Sequence, residues 1–170
     1  LSRNTSANVT NLLTRVNITP PHESSHMLIY YPFEIDPVTD GAIWAAYDTL
    51  YKSIDHGTSW VPMPGTLDLG DINRIAISNS IPQEKFVSTD EFLVRVDGSG
   101  GKHDIGEGLP TGIFYTGKKL LLTDICLSTD SAMSDRYAWV SFGGYESGKK
   151  VYRTNDGGSN WMPYTSGLPN

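Results

Sequence analysis

The sequence contains a single cysteine, Cys126, among its 170 residues. One thiol cannot close an internal disulfide or supply the paired cysteines of a structural zinc site, so both kinds of small scaffold are excluded. His22 and His26 are four residues apart, but they lie in a polar, proline-flanked stretch without a helical pattern. We therefore expect neither a bound metal nor a cofactor.

Basic residues are also scarce, because 13 Lys and Arg face 19 Asp and Glu and give a formal net charge of −6. The longest basic runs are the pairs Lys118-Lys119 and Lys149-Lys150. Nucleic acids and anionic membrane surfaces bind through concentrated positive charge, so neither is an expected partner. No segment approaches the roughly 20 apolar residues that span a bilayer, so membrane insertion is not expected either.

Helical patterns are missing too, because no stretch keeps apolar residues at helical spacing beyond about one turn. The chain has instead short runs rich in Val, Ile, Tyr, Phe and Trp, separated by Gly, Asp, Pro and Ser. Such runs predict antiparallel β-strands, and 38% hydrophobic with 19% charged residues indicates a folded protein. The predicted fold class is all-β.

Two eight-residue blocks share the pattern Ser/Thr-x-Asp-x-Gly-x-x-Trp, at 53–60 and at 154–161. A shift of 42 residues without a gap finds a degraded third copy, which keeps the aspartate as Asp97 and replaces the tryptophan with Lys102. Each copy contains four β-type runs in about 42 to 50 residues, which is the size of a propeller blade. A lone four-stranded sheet leaves an apolar face exposed, so such units are expected to stack in an array.

The copies predict three four-stranded antiparallel blades, at 28–68, 69–110 and 111–170. Residues 1–27 are expected to form a leader that supplies an outer strand of a preceding blade, at 15–19. The sequence starts without a signal peptide, and three blades cannot close a ring. We therefore expect an open fragment of a larger propeller, or a ring that a homo-oligomer completes.

Each block is expected to form a tight turn whose aspartate accepts the backbone N–H groups that follow it. The glycine takes a positive φ, the Ser or Thr hydroxyl joins the same network, and the tryptophan folds back as an apolar plug. An aspartate used in this way stays ionised within the turn, which argues against catalysis or calcium binding. The predicted structural residues are Ser53, Asp55, Gly57 and Trp60, then Asp97, and finally Thr154, Asp156, Gly158 and Trp161.

The two blocks resemble the Asp-box, or BNR, repeat, and the copies cover about residues 28 to 170. The chain is thus similar to Asp-box β-propellers, a group with sialidases, sortilin-type receptors, xyloglucan-active glycosidases and photosystem-assembly-factor-like propellers. It looks most like the repeat-rich secreted or cell-surface proteins of bacteria. The resemblance implies that the block is structural and joins the third and fourth strands, but propellers host many unrelated roles.

Binding residues are expected on the face opposite the turns, in loops that enter each first strand or join the second and third strands. The candidates are His22, Glu23, His26, Asp48, Asp68, Asp71, Asp90, Glu107, Tyr115, Tyr145 and Glu146. Tyr115 and Tyr145, together with Trp44, are also candidates for stacking on sugar rings. Packing between blades nevertheless explains Trp44 and Trp139 better.

Catalytic machinery is not recognisable, so no catalytic residue is assigned. The six arginines recur at no shared repeat position, which argues against the arginine cluster of a sialidase. Asp48, Asp68, Asp71 and Glu107 offer carboxylates for a glycosidase, but no pattern pairs them.

The favoured interpretation is a non-catalytic extracellular interaction or carbohydrate-binding module of a larger bacterial cell-surface or secreted protein. Its expected partners are a glycan or protein ligand, and other blades of the parent chain or further copies of this one. Two alternatives stay open: part of a sialidase- or xyloglucanase-like glycoside hydrolase, and an assembly or scaffold factor for a protein complex. Hydrolysis that depends on an acid such as Asp48 or Glu107 would distinguish the enzyme from both binding proteins.

Overall fold

The computed structural model describes residues 2–4, 15–21, 31–66, 69–80, 83–110, 112–113, 118–119, 122–130, 132–143 and 148–168. Within these ranges the regular secondary structure consists of β-strands, and no helix long and apolar enough to cross a membrane occurs there. Most of the strands belong to three four-stranded antiparallel sheets. The all-β class and the three blades predicted from the repeat are therefore confirmed.

The strands follow one another along the chain, and we call the three large sheets blades 1 to 3. A two-stranded sheet of β1 (Ser2–Asn4) and β2 (Arg15–Asn17) comes first. Blade 1 contains β3 (Phe33–Ile35), β4 (Ile43–Ala46), β5 (Leu50–Ser53) and β6 (Val61–Pro62). Blade 2 contains β7 (Ile72–Ile77), β8 (Lys85–Thr89), β9 (Leu93–Val96) and β10 (Lys102–Asp104).

The hairpin of β11 (Gly112–Ile113) and β12 (Lys118–Lys119) separates blade 2 from blade 3. Blade 3 contains β13 (Leu122–Leu127), β14 (Ala138–Phe142), β15 (Val151–Thr154) and β16 (Met162–Pro163). Strands pair in sequence order within each blade, so the first and fourth strands form its two edges.

Apolar side chains fill the spaces between blades. Every residue of β8 is buried, and the neighbours Phe86 and Val87 are both inaccessible to solvent. Successive strand residues point to opposite faces, so Phe86 belongs to the core between blades 2 and 3 and Val87 to the core between blades 1 and 2. A central strand covered on both faces explains why this run does not alternate between apolar and polar residues.

An isoleucine packs against the turn glycine of the following blade at two junctions. A Cβ on Gly57 would lie 2.9 Å from the side chain of Ile18, and a Cβ on Gly158 would lie 2.8 Å from that of Ile105. The same two isoleucines accept hydrogen bonds on their carbonyl oxygens, from the indole N–H of Trp60 at 2.8 Å and of Trp161 at 2.6 Å. The two tryptophans are therefore half-buried donors that join neighbouring sheets, not purely apolar plugs.

Strand pairing corrects the gapless alignment of the first two copies. Ala46 pairs with Leu50 in blade 1, whereas Ser88 pairs with Leu93 in blade 2, so Leu93 and not Phe92 corresponds to Leu50. Compared with blade 1, blade 2 thus has one more residue between its second and third strands. The pairing of its third and fourth strands shows one residue fewer in the turn between them. The two changes cancel, which is why the spacing of 42 hides both.

Candidate functional site

The first eight-residue block forms the turn between the third and fourth strands of blade 1. Asp55 accepts hydrogen bonds from the hydroxyl of Ser59 at 2.7 Å, from its N–H at 2.8 Å and from the hydroxyl of Ser53 at 2.8 Å. The Ser53 oxygen in turn accepts the N–H of Gly57 at 2.8 Å. These bonds, led by those from Ser59, hold the pKa of Asp55 well below its usual range.

The block in blade 3 repeats this network. Asp156 accepts hydrogen bonds from the side-chain amide of Asn160 at 2.8 Å, from the hydroxyl of Thr154 at 2.7 Å and from the N–H of Asn160 at 2.9 Å. These contacts lower the pKa of Asp156 to about 2. A carboxylate that stays ionised and is engaged by the turn cannot serve as a general acid near neutral pH.

The turn of blade 2 is shorter and differs in detail. Asp97 directly follows β9 and accepts hydrogen bonds from the hydroxyl and N–H of Ser99 and from the N–H of Gly101. The Ser99 hydroxyl, Gly101 N–H and His103 ring, in that order, lower the pKa of Asp97 below its usual range. Lys102 stands where the other two turns have a tryptophan, and it is exposed. This junction therefore lacks the indole-to-carbonyl bond of the other two.

Asp36, after the first strand of blade 1, is a buried carboxylate at the same end of the blades. It accepts hydrogen bonds from Val38, Thr39, Trp44, Gln83 and the ammonium of Lys52. Burial alone would raise the pKa of Asp36, but Lys52 and the N–H donors outweigh it and hold that pKa well below its usual range. Asp36 is therefore a structural anchor that ties blade 1 to Gln83 of blade 2.

Trp44 is only 3% exposed and cannot stack on a sugar ring, so that candidate role is wrong. Its indole N–H bonds to Asp36 at 2.9 Å. The ammonium groups of Lys52 and Lys85 lie 4.8 Å and 5.2 Å from its ring centroid, as in cation–π pairs. Trp44 packs between blades 1 and 2.

Four of the predicted binding residues lie in described loops or turns opposite the turn aspartates: Asp48, Asp71, Asp90 and Glu107. The N–H of Leu69 bonds to the carbonyl oxygen of Asp48 at 3.2 Å, which brings the loops of Asp48 and Asp71 together. Asp90 accepts a hydrogen bond from the amide of Asn73 at 2.8 Å. Glu107 is exposed in a separate turn after β10.

The other seven candidates lie outside the described residues: His22, Glu23, His26, Asp68, Tyr115, Tyr145 and Glu146. An aromatic cluster that the sequence did not predict lies beside Asp48. The ring centroids of Tyr31 and Tyr47 are 4.4 Å apart, and those of Tyr47 and Tyr51 are 6.1 Å apart. Desolvation and then the charge of Asp48 raise the pKa of Tyr51.

A groove of about 240 Å³ crosses the first strands of all three blades, which we call the inner strands. Glu34 of β3, Ala76 of β7 and Cys126 of β13 occupy equivalent places, since each pairs with the aromatic residue of the second strand in its blade. The remaining walls are formed by Pro37, Ile77, Asn79, Ile125, Leu127, Ser128 and Thr129. No aromatic ring belongs to the part of the wall that the structure describes.

Two polar residues of this groove, Glu34 and Asn79, have an acceptor without a donor among the described residues. Glu34 makes no ion pair with any described residue, and desolvation and then the charge of Asp124 raise its pKa. Asn79 donates its amide N–H to the carbonyl oxygen of Thr129 at 2.7 Å. Its own Oδ1 is buried and accepts no hydrogen bond within the described part of the chain.

Sequence reasoning missed Glu34, Asn79 and Asp124. The alignment of Glu34 with Ala76 was already visible in the repeat, and a position shared by first strands was the one available signal. It did not tell which face of each strand meets the inner groove. Asn79 and Asp124 come from different blades, so only their meeting in space relates them to Glu34.

Another cavity, of about 400 Å³ between blades 2 and 3, has Arg95 and Arg136 in its wall, but Asp135 and Asp156 line it as well. Arg95 also lies 3.6 Å from Glu84, so the positive charge there is balanced. Within the described ranges, no three His, Cys, Asp or Glu side chains converge as metal ligands would.

No family model and no curated protein sequence matches the chain. Among solved structures, the GH74 xyloglucanase from Xanthomonas campestris is similar, with a TM-score of 0.55 and 17% identity over 77% of this chain. YCF48 from Cyanidioschyzon merolae has a TM-score of 0.45 and 15% identity over 78% of this chain, and YCF48 bound to a D1 peptide has 0.45 and 22% over 80%.

The chain spans only a fraction of each of these proteins: 20% of the xyloglucanase and 36% and 45% of the two YCF48 chains. Identity at this level shows the fold and not the activity. Together with the three stacked blades, the similarity to the xyloglucanase establishes that the chain has a β-propeller fold.

Proposed function

We propose that this chain is a non-catalytic binding module of an extracellular or cell-surface protein, and that its ligand is a protein segment. The groove across Glu34, Ala76 and Cys126 is the observation that supports this. It joins apolar walls to a few polar groups on rigid strands, which is the usual build of a binding site.

The composition of the groove favours a peptide over a glycan. Sugar rings are commonly held by stacking on aromatic side chains, and the described wall contains none. Its three first strands are sheet edges, whose free backbone groups suit an extended peptide. A glycan would instead use the tyrosines beside Asp48.

A groove-filling substitution tests this function. Cys126 is exposed on the wall, so Cys126→Trp is expected to block the groove without disturbing the core. We expect the wild-type chain to select peptides from a displayed library and Cys126→Trp to lose them. Met162→Trp, on the outer strand of the same blade, is the matched control and should retain binding. Selection that Cys126→Trp leaves unchanged would contradict the groove as the site.

The finer family assignment is part of the same proposal. The hydrogen bonds of Asp55 and Asp156 support the view that both blocks are Asp-boxes and that the chain is of the Asp-box type. On that basis we propose secretion by a bacterium, with the blade boundaries and leader given above. Recovery of the full-length protein from the culture medium or cell surface of its host would support this location, and recovery from the cytoplasm would not.

A glycoside hydrolase is the second candidate, because two carboxylates, Glu34 and Asp124, lie close enough on the inner strands to influence each other. A carboxyl group with a raised pKa beside an ionised one is the combination that glycosidases use. The fold is similar to that of a xyloglucanase, so xyloglucan is the first substrate to test. Release of reducing ends that Glu34→Gln and Asp124→Asn abolish would favour the enzyme, and no release would leave the binding module.

A further inference from the structure

We infer that the groove recognises a basic side chain, the lysine or arginine of a peptide, whose alkyl stem lies on the apolar wall and whose cation meets Glu34. This inference rests on the proposed peptide-binding function and names the chemical class of its ligand. Three observations carry it: the shape of the groove, the carboxylate of Glu34 without an ion-pair partner among the described residues, and the surrounding charge.

The shape provides for a narrow aliphatic chain. Ala76 stands in the middle of the groove, at the place that Glu34 and Cys126 occupy in the neighbouring blades, and its small side chain leaves the centre open. Ile77 and Leu127 supply apolar surface on either side. Lys and Arg bury their methylene stems along such surface while the charged end reaches polar groups.

The carboxylate of Glu34 defines what the end of that chain must be. Glu34 is exposed in the groove and has no ion-pair partner in the described structure. An ammonium or guanidinium group has several N–H donors and no acceptor, so it suits a carboxylate without a cation of its own.

Charge around the groove also favours a cation. Asp124, on the inner strand of blade 3, acts on Glu34 with a like charge. Among the residues of β3, β7 and β13, Arg74 carries the positive charge. Its guanidinium donates hydrogen bonds to the carbonyl oxygens of Thr123 and Asn73. Cys126 faces the same groove as a thiol. A ligand cation would therefore relieve the repulsion between the two carboxylates.

Titration of the groove by short peptides, followed by amide NMR, tests the inference. The probe is an N-acetylated, C-amidated alanine peptide with one central lysine. The control peptide has norleucine in place of the lysine, which keeps the alkyl stem and lacks the charge. The arginine version is expected to behave as the lysine one. We expect the basic peptides to shift the amide signals of Ala76, Ile77 and Asn79 and to bind at least tenfold more tightly than norleucine.

Glu34→Gln should reduce binding of the lysine peptide about tenfold, because it removes a charge-assisted hydrogen bond. Glu91→Gln removes the same charge from an exposed turn of blade 2 on the opposite side, and should leave binding unchanged. Binding of the lysine peptide should also weaken as pH falls through the pKa of Glu34, which desolvation and the charge of Asp124 raise above its usual range. Urea midpoints of both variants verify that they fold.

Equal binding of norleucine and lysine would overturn the inference and leave the groove as a peptide site. Equal weakening by Glu34→Gln and Glu91→Gln would also overturn it, since general charge attraction would then explain the data. If no peptide shifts the groove signals and Cys126→Trp has no effect on library selection, the proposed function fails as well.

Discussion

At the scale of single residues, the turn glycines show how closely neighbouring blades approach. Gly158 has φ of +92° and would place a Cβ 2.8 Å from Ile105, whereas Gly167 has φ of +82° with nothing within 4 Å. The two glycines therefore separate backbone strain from steric overlap, because only the first combines both.

We expect Gly167→Ala to destabilise the protein by about 1 kcal/mol, the strain of a left-handed alanine. Gly158→Ala should cost a further 1–3 kcal/mol or so, because its methyl group overlaps a well-packed side chain. Urea unfolding measures both free energies of unfolding. An equal decrease in the free energy of unfolding of the two variants would mean that Ile105 moves aside and that the junction between blades 2 and 3 is not tightly packed.

The aspartate of the third-blade turn gives a pH prediction. The pKa of Asp156 is about 2 when folded and about 3.9 when unfolded, so its stabilisation is present above about pH 4 and disappears as pH falls towards 2. Asp156→Asn should lower the urea midpoint at pH 7 and flatten the decline of that midpoint between pH 4 and pH 2. Asp40→Asn, in an exposed turn, is the matched control. An unchanged pH profile in Asp156→Asn would count against the charge of this turn as a source of stability.

At the scale of elements, the loop between β3 and β4 depends on Asp36. Its carboxylate binds Lys52 at 2.7 Å and has a fully buried side chain. Removing one partner of a buried ion pair leaves the other without compensation. Because Lys52 is 27% exposed and can be hydrated, the lower end of the usual range applies.

We therefore expect Asp36→Ala to reduce the free energy of unfolding by about 3 kcal/mol. Urea unfolding measures it, and Asp40→Asn in the same loop should change it little. A loss below about 1 kcal/mol would show that hydration replaces the contacts of Asp36 and that the loop does not depend on them.

Blade 2 shows why element boundaries were only partly predictable. The strand pattern predicted four strands, and four are found, because alternation and turn residues are local signals. The shift of one residue between Leu50 and Leu93 was hidden, because one insertion and one deletion preserve the repeat length. Register is decided by which side chains reach the buried face, and this depends on the neighbouring blade.

At the scale of the whole molecule, the free face of blade 3 differs from that of blade 2. Ile105 and Leu109 are buried against blade 3, whereas Tyr164 and Leu168, in the corresponding places of blade 3, are 58% and 49% exposed. Met162 adds a further exposed apolar side chain nearby. Exposed apolar surface beside a sheet edge favours association.

We expect the chain to associate as its concentration rises, measured as mass by light scattering after size exclusion. The double variant Tyr164→Ser and Leu168→Ser should shift the protein towards monomer with little change in its urea midpoint, since both residues are exposed. A monomer of constant mass at all concentrations would contradict self-association through this face.

The sequence by itself determined the repeat, the all-β class, the number of blades and the residues of the turns, because these depend on spacing and on contacts within a few residues. Asp55 and Ser59, for example, are four residues apart and meet wherever the turn forms. Only the tertiary structure decided that Glu34 and Asn79 share one groove, that Asp124 acts on Glu34 and that Trp44 is buried. Each belongs to a contact between blades, and stacking brings together residues whose separation along the chain carries no signal.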